Sequence, residues 1–183
     1  MNNKMIFAGY GGQGMLLCGQ LIAYAAMLED SHVTWFPSYG PEMRGGAASC
    51  TVIISDKAIG SPIIQYADAA VVMNQPSFDK FQPSVKPGGV LIYNTSMIEA
   101  DKARDDIKYI GVPVTDLAND LGNLKVANMI ALGSVNEILK CVKTESVIEA
   151  LKHKFGEKKA GLIEINEKAI AKGMEAAKAG MTV

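Results

Sequence analysis

Met5-Ile6-Phe7-Ala8-Gly9-Tyr10-Gly11-Gly12-Gln13-Gly14-Met15-Leu16-Leu17-Cys18 decides how this chain folds. Its first four residues are a short apolar run of the kind that makes a buried first strand. Met15 to Ala26 is long and apolar enough for a buried helix. Between them the glycines allow a sharp turn and leave amide N–H groups exposed at the start of the helix, where partial positive charge favours an anion. The spacing satisfies the dinucleotide-binding pattern G-x-G-x-x-G in its strand–turn–helix setting.

Outward from that turn, strands and helices alternate. His32 to Phe36 is a second strand, ending at the loop Pro37–Gly46. Ala47 to Ser55 is strongly strand-like, and only the loop precedes it, so antiparallel pairing and a mixed sheet are expected. Ala69–Met73 is a buried strand, followed by a turn at Asn74-Gln75-Pro76 and a short helix through Phe81. Pro87-Gly88-Gly89 turns the chain into the strand Val90–Tyr93, and Ile107–Ile110 is a weaker strand. From Thr115 the pattern is helical, over 115–122, 125–140, 144–154 and 166–179. Thr144 and Asn166 read as N-caps, with Gly156 and Gly161 as punctuation. The expected fold is one α/β domain over residues 1–183. It has three layers (α/β/α), a mixed, mostly parallel sheet and a helical C-terminal portion.

Composition narrows the function classes. A 49% hydrophobic, 20% charged chain of 183 residues is globular and long enough for a substantial core. A net charge of −1 provides no electrostatic footprint for nucleic acid or an anionic membrane. No apolar run approaches the ~18 residues needed to span a bilayer. The N-terminus reads without a signal peptide, and a cytoplasmic location is expected. Cys18, Cys50 and Cys141 are odd in number and far apart, as suits reduced, buried thiols rather than a cluster site. His32 and His153 are the only histidines, so no metal site is expected.

In an open α/β sheet, ligands collect outside the carboxyl ends of the parallel strands. Gly9–Gly14, Pro37–Gly46, Met73–Pro76 and Tyr93–Ser96 should gather there. Their polar members, among them Gln13, Arg44, Asn74, Gln75, Asn94, Thr95 and Ser96, make an amide- and hydroxyl-rich edge with one cation. Such an edge suits a phosphorylated or polar group better than acid/base chemistry, and no catalytic residue stands out. A stand-alone, Rossmann-like NAD(P)-binding oxidoreductase is the alternative. It wants an acid at the end of the second strand, where this chain has Trp35-Phe36-Pro37-Ser38, and Glu29 and Asp30 precede that strand. The glycine turn itself is open to two readings: close helix–sheet packing alone, or a surface facing a ligand or partner. Arg44 ahead of Gly45-Gly46 could clamp an anion or sit on a solvated turn.

Together, Gly9–Gly14 and Ser38-Tyr39-Gly40-Pro41-Glu42-Met43-Arg44-Gly45-Gly46 carry a likeness to a known family. Asp68 with Asn74-Gln75-Pro76, Lys86-Pro87-Gly88-Gly89, Asn128–Gly133 and Asn166-x-x-Ala169-x-x-x-Gly173 extend it over nearly the whole chain. The chain resembles the gamma subunit of the 2-oxoacid:ferredoxin oxidoreductases. The resemblance implies coenzyme A-dependent oxidative decarboxylation of a 2-oxoacid, giving acyl-CoA, carbon dioxide and reduced ferredoxin. It implies partner subunits of alpha, beta and delta type, which would carry thiamine diphosphate, Mg and Fe–S clusters, with coenzyme A as cosubstrate and ferredoxin as electron acceptor. Carried onto this sequence, Gly11, Gly12, Gln13 and Gly14, with Arg44, Asn74 and Asn94, become candidates for coenzyme A contact or close subunit packing. The Ser38–Gly46 form and the unfused length look most like 2-oxoglutarate or branched-chain members, 2-oxoglutarate foremost. A purely structural domain of the same complex is a third reading.

Overall fold

The computed structural model describes residues 2–39, 47–156 and 160–180. The first apolar run becomes β1 (Asn2–Tyr10), and the glycine turn leads into α1 (Met15–Leu28). β2 (His32–Tyr39), β3 (Ala47–Ser55), β4 (Ala67–Val72), β5 (Val85–Asn94) and β6 (Lys108–Val112) complete the sheet, in the order β2-β3-β1-β4-β5-β6. β1, β4, β5 and β6 run parallel, while β3 lies antiparallel to β1 on one side and β2 on the other. The mixed, mostly parallel sheet expected from the sequence is therefore present. Short α2 (Gln75–Phe81) follows β4, and α3 (Val114–Asp120), α4 (Ala127–Leu139), α5 (Thr144–Phe155) and α6 (Ala160–Gly180) follow β6.

Side chains alternate across a strand, so each strand feeds two cores. Met5 and Phe7 of β1 join Cys50, Val52, Val71 and Ile92 beneath α1, α4, α5 and α6, forming the larger cluster. Ile6 and Ala8 join Val72, Leu91 and Tyr93 on the opposite face, beneath Phe78 of α2 and Ile98 of the β5–β6 crossover. The three layers are thus unequal, and the second is one seven-residue helix with coil. Arg104 staples that coil to the sheet. Its guanidinium donates to the carbonyls of Gln82 (3.0 Å) and Val85 (2.6 Å), and its Nε to Asp106 Oδ1 (2.8 Å). The same pairing holds the Asp106 carboxyl below its ordinary range.

In the thicker layer α4 and α6 cross at backbone contact. A Cβ added to Gly133 would fall on the Ile170 carbonyl oxygen, and one added to Gly173 on that of Ile130. Ser134 Oγ, buried at the crossing, donates to Ile130 O (2.9 Å) and Gly173 O (3.0 Å).

Several boundaries differ from the sequence reading. Pro87-Gly88-Gly89 lies inside β5 as an irregularity against β4 instead of before the strand, with Gly88 at φ 75°. Thr144 is the first residue of α5, and Lys143 occupies the cap. Asn166 lies well within α6, its Nδ2 bonded to the Leu162 carbonyl four residues back (2.6 Å), and Gly161 belongs to that helix too. Asparagine favours caps because it competes for backbone groups, and it satisfies the same tendency here by back-bonding. Buried Ile163, Ala169, Ile170 and Ala177 keep the helical period across it. Gly156, by contrast, does end α5, at φ 76°.

The three cysteines are free and buried. Burial pushes the Cys50 and Cys141 thiols up to about 12, and Cys18 also well above its ordinary value. Two outcomes are expected. Ellman's reagent at pH 8 should leave all three thiols unmodified in the native protein and titrate them on denaturation. Because unfolded thiols ionise near their ordinary 9.0 while the native ones keep their protons, stability should be complete below that pH and fall as pH rises toward 12. At the helix crossing, Gly133→Ala should cost about 2–4 kcal/mol, read as a lower urea midpoint, since backbone must move to admit one methyl group.

Candidate functional site

The glycine turn sits at the carboxyl edge, where β1 and β4 diverge: α1 leaves β1 to cover one face, and α2 leaves β4 to cover the other. This is a topological switch point, the place where open α/β sheets form a ligand crevice. Gly12 (φ 101°) and Gly14 (φ 76°) occupy left-handed backbone. For Gly14 there is also no room, since a Cβ would come within 2.9 Å of Asn128 Cγ on α4. Asn128 Nδ2 reaches the Gly14 carbonyl at 3.5 Å, and its own carbonyl accepts from Cys18 Sγ at 3.0 Å. The turn therefore fixes α1 against the start of α4.

Gln13 closes the turn on itself. Its N–H donates to Tyr10 O (3.0 Å), and its Oε1 accepts from Tyr10 N–H (2.7 Å) and Asn74 Nδ2 (3.2 Å). Asn74 Oδ1 in turn caps α2 through Ser77 N–H at 2.9 Å. Asn94, fully buried, ties β5 to the start of α3: Nδ2 donates to Thr115 Oγ1 (2.9 Å), and Oδ1 accepts from Thr115 N–H and Ser96 N–H, each at 3.3 Å. These amides hold the edge together, and among the described residues Gln13 Nε2 is left with Met97 Sδ at 3.9 Å.

Beside the turn lies a cleft of about 270 Å³, lined by Gly12, Gln13, Gly14, Met73, Met97, Thr115, Leu124, Lys125, Ala127 and Asn128. The N-termini of α1 and α4 both reach it, and neither carries an acidic residue in its first turn. First-turn N–H groups without an intrahelical acceptor carry partial positive charge that attracts anions, and at α4 the Ala127 N–H is already bonded to the Leu124 carbonyl of the preceding turn. Lys125 adds a full charge. A larger cleft of about 700 Å³ opens at the opposite, amino end of the strands. There Asp68 is already held by Lys86 and by the Lys4 N–H at 2.6 Å.

Of the residues singled out from sequence, Gly12, Gln13 and Gly14 line the cleft, and Gly11 stands beside it on the turn. Asn74 and Asn94 lie buried behind it as supports. Arg44 lies outside the described residues. Lys125, Thr115 and Met97 were missed. Met97 follows the end of β5, and Thr115 and Lys125 follow β6, whose parallel pairing with β5 carries both exits to the same edge. Among the described residues, no nucleophile–base pair lines the cleft. The geometry also disfavours a dinucleotide. β3 intervenes between β1 and β2, so the end of β2 lies about 10 Å from β1, two strand spacings, instead of beside the turn.

The family model described as pyruvate ferredoxin/flavodoxin oxidoreductase matches residues 4–176. The chain is 37% identical over 173 residues to ketoisovalerate oxidoreductase subunit VorA of Methanothermobacter marburgensis, covering 94% of this chain and 36% of that protein. It therefore spans about a third of the length of that relative. It is 34% identical over 181 residues to 2-oxoglutarate synthase subunit KorC of Methanocaldococcus jannaschii, covering 97% and 95%. Among solved structures it resembles the gamma subunit of a keto/oxoacid ferredoxin oxidoreductase from Geobacter sulfurreducens (TM-score 0.83, 31% identity, 97% and 99% covered). It also resembles 2-oxoglutarate:ferredoxin oxidoreductase from Magnetococcus marinus with 2-oxoglutarate, coenzyme A and succinyl-CoA bound (TM-score 0.90, 26% identity, 97% and 31% covered).

The two left-handed glycines should separate on substitution. Gly12→Ala meets only backbone strain and should cost about 1–2 kcal/mol, whereas Gly14→Ala adds a clash with Asn128 and should cost about 1–3 kcal/mol more. Thermal melts of the two variants beside the wild type would measure the difference.

Proposed function

The chain belongs to the pyruvate ferredoxin/flavodoxin oxidoreductase family, and we propose that it is the gamma subunit of a multi-subunit 2-oxoacid:ferredoxin oxidoreductase. On this reading its partners of alpha, beta and delta type carry the thiamine diphosphate, magnesium and Fe–S clusters and perform the decarboxylation and electron transfer to ferredoxin. This chain contributes the binding of coenzyme A.

One observation carries the assignment: two acid-free helix N-termini and Lys125 converge on a single cleft at the switch point. That arrangement suits a phosphate-bearing end of the cosubstrate. Gln13 Nε2 and the Thr115 hydroxyl stand at its walls as further hydrogen-bonding groups. Arg44 is the proposed second anchor. Asn74 and Asn94 act as positioning residues, because their amides hold Gln13 and Thr115 in place. The proposed 2-oxoacid is 2-oxoglutarate, supported by a match over nearly the whole length of KorC. Ketoisovalerate is the second reading, supported by the higher identity to VorA.

Anaerobic purification of the tagged chain from its native host tests the assignment. Thiamine-binding and cluster-binding subunits should come with it, and the preparation should reduce viologen with a 2-oxoacid only when coenzyme A is present. In that complex Lys125→Ala should raise the KM for coenzyme A about tenfold, the loss of one charge-assisted contact, with the KM for the 2-oxoacid unmoved. A chain that comes down alone and turns over NAD(P) would establish the dehydrogenase reading instead.

A further inference from the structure

Away from the glycine turn, a third concavity, of about 420 Å³, opens between β2, α1 and α5. Leu21, Tyr24 and Met27 of α1, Val33 and Trp35 of β2, and His153 of α5 wall it. The Tyr24 and His153 rings stack at 4.8 Å. Its size and mainly apolar walls are those of a binding pocket. Among the described residues no carboxylate lines it, and the charge at its mouth is Lys154, whose ammonium lies 3.4 Å from Gln20 Oε1. Met27 and its neighbour Leu28 are 55% and 45% exposed, so apolar surface continues out of the groove.

The sheet ends at the same place. Among the described residues β2 pairs with β3 alone, leaving its outer edge open. A proline fits a strand where its missing N–H would face away from the neighbour. Pro37 therefore assigns the outward backbone groups to its own alternate set, which includes Val33 and Trp35. Trp35 and Val33 thus present free backbone on the edge and side chains to the groove. Open edges of this kind accept an added strand.

We propose that edge and groove together receive an extended, acidic segment of a sister subunit. The segment pairs with β2 at Val33 and Trp35, inserts an apolar side chain between Tyr24 and Trp35, and sets a carboxylate against Lys154. The inference rests on the gamma-subunit reading. The sign of the segment follows from Lys154 at a mouth that no carboxylate lines among the described residues. That the occupant is another chain follows from the gamma-subunit reading, which is supported by KorC and the Geobacter protein, both named as subunits and matched over nearly their whole lengths.

Trp35 is the only tryptophan in the chain, so 5-fluorotryptophan labelling places a single ¹⁹F probe in the groove. The labelled chain is titrated anaerobically with its separately purified sister subunits. The resonance should move on assembly. Lys154→Glu and Met27→Asp, both at solvent-facing positions and expected to melt like the wild type, should each weaken assembly by about tenfold, the former less so in high salt. An unmoved resonance in an assembled complex, or variants that assemble like the wild type, would overturn the proposal. A resonance that shifts with concentration in the isolated chain would also overturn it, by making the occupant a second copy. If the wild type assembles with nothing, the gamma-subunit reading itself falls and takes this inference with it.

Discussion

Helix α4 is buried from Asn128 to Glu137, and the rest of the molecule is arranged around what that burial demands. A helix enclosed on all sides needs neighbours that approach its backbone and partners for every polar group it carries. Glycine supplies the approach: Gly14 at its start admits Asn128, and Gly133 with Gly173 lets α6 cross at carbonyl distance. The polar groups are bonded locally, Ser134 across the crossing and Asn136 Nδ2 to the Val142 carbonyl at 3.0 Å. Glu137 pairs through Oε1 with Lys140 and Lys178, while its Oε2 is buried with no hydrogen-bond partner among the described residues. Losing any of these leaves either a clash or an unpaired polar group in a site water cannot reach.

The same constraint builds the cleft. Because α4 must begin against Gly14, its N-terminus and that of α1 face the same space, and their dipoles add rather than oppose. The side-chain amides nearby are spent on the frame. Gln13 Oε1 serves Tyr10 and Asn74, and both ends of Asn94 serve the β5–α3 junction. What remains to face the cleft is backbone, Gln13 Nε2 and Lys125. A surface of that composition suits anion binding better than acid/base chemistry, in keeping with the role proposed above for coenzyme A.

Much of the architecture was legible in the residues because it depends on local periodicity. The apolar runs at Met5–Ala8, Val52–Ile54, Ala69–Met73 and Val90–Tyr93 each became strands, and the glycine spacing placed the turn between β1 and α1. Boundaries were less legible where a residue can satisfy its preference in two ways. Asn166 back-bonds inside α6 instead of capping it, and Pro87-Gly88-Gly89 is accommodated as an irregularity within β5. The thinness of the second layer was not legible either, since it depends on which face each connection takes.

By itself the sequence determined the α/β class, the strand–turn–helix at Gly9–Gly14, the burial of the three thiols and the motifs that mark the family, all properties of neighbouring residues or of composition. Only the tertiary structure decided that β3 separates β2 from β1, that Asn74 and Asn94 are supports behind the cleft, and that Lys125, 111 residues beyond Gly14 in the chain, stands beside the turn. Those facts arise from strand order and helix contacts between distant segments, and no local pattern of side chains encodes them.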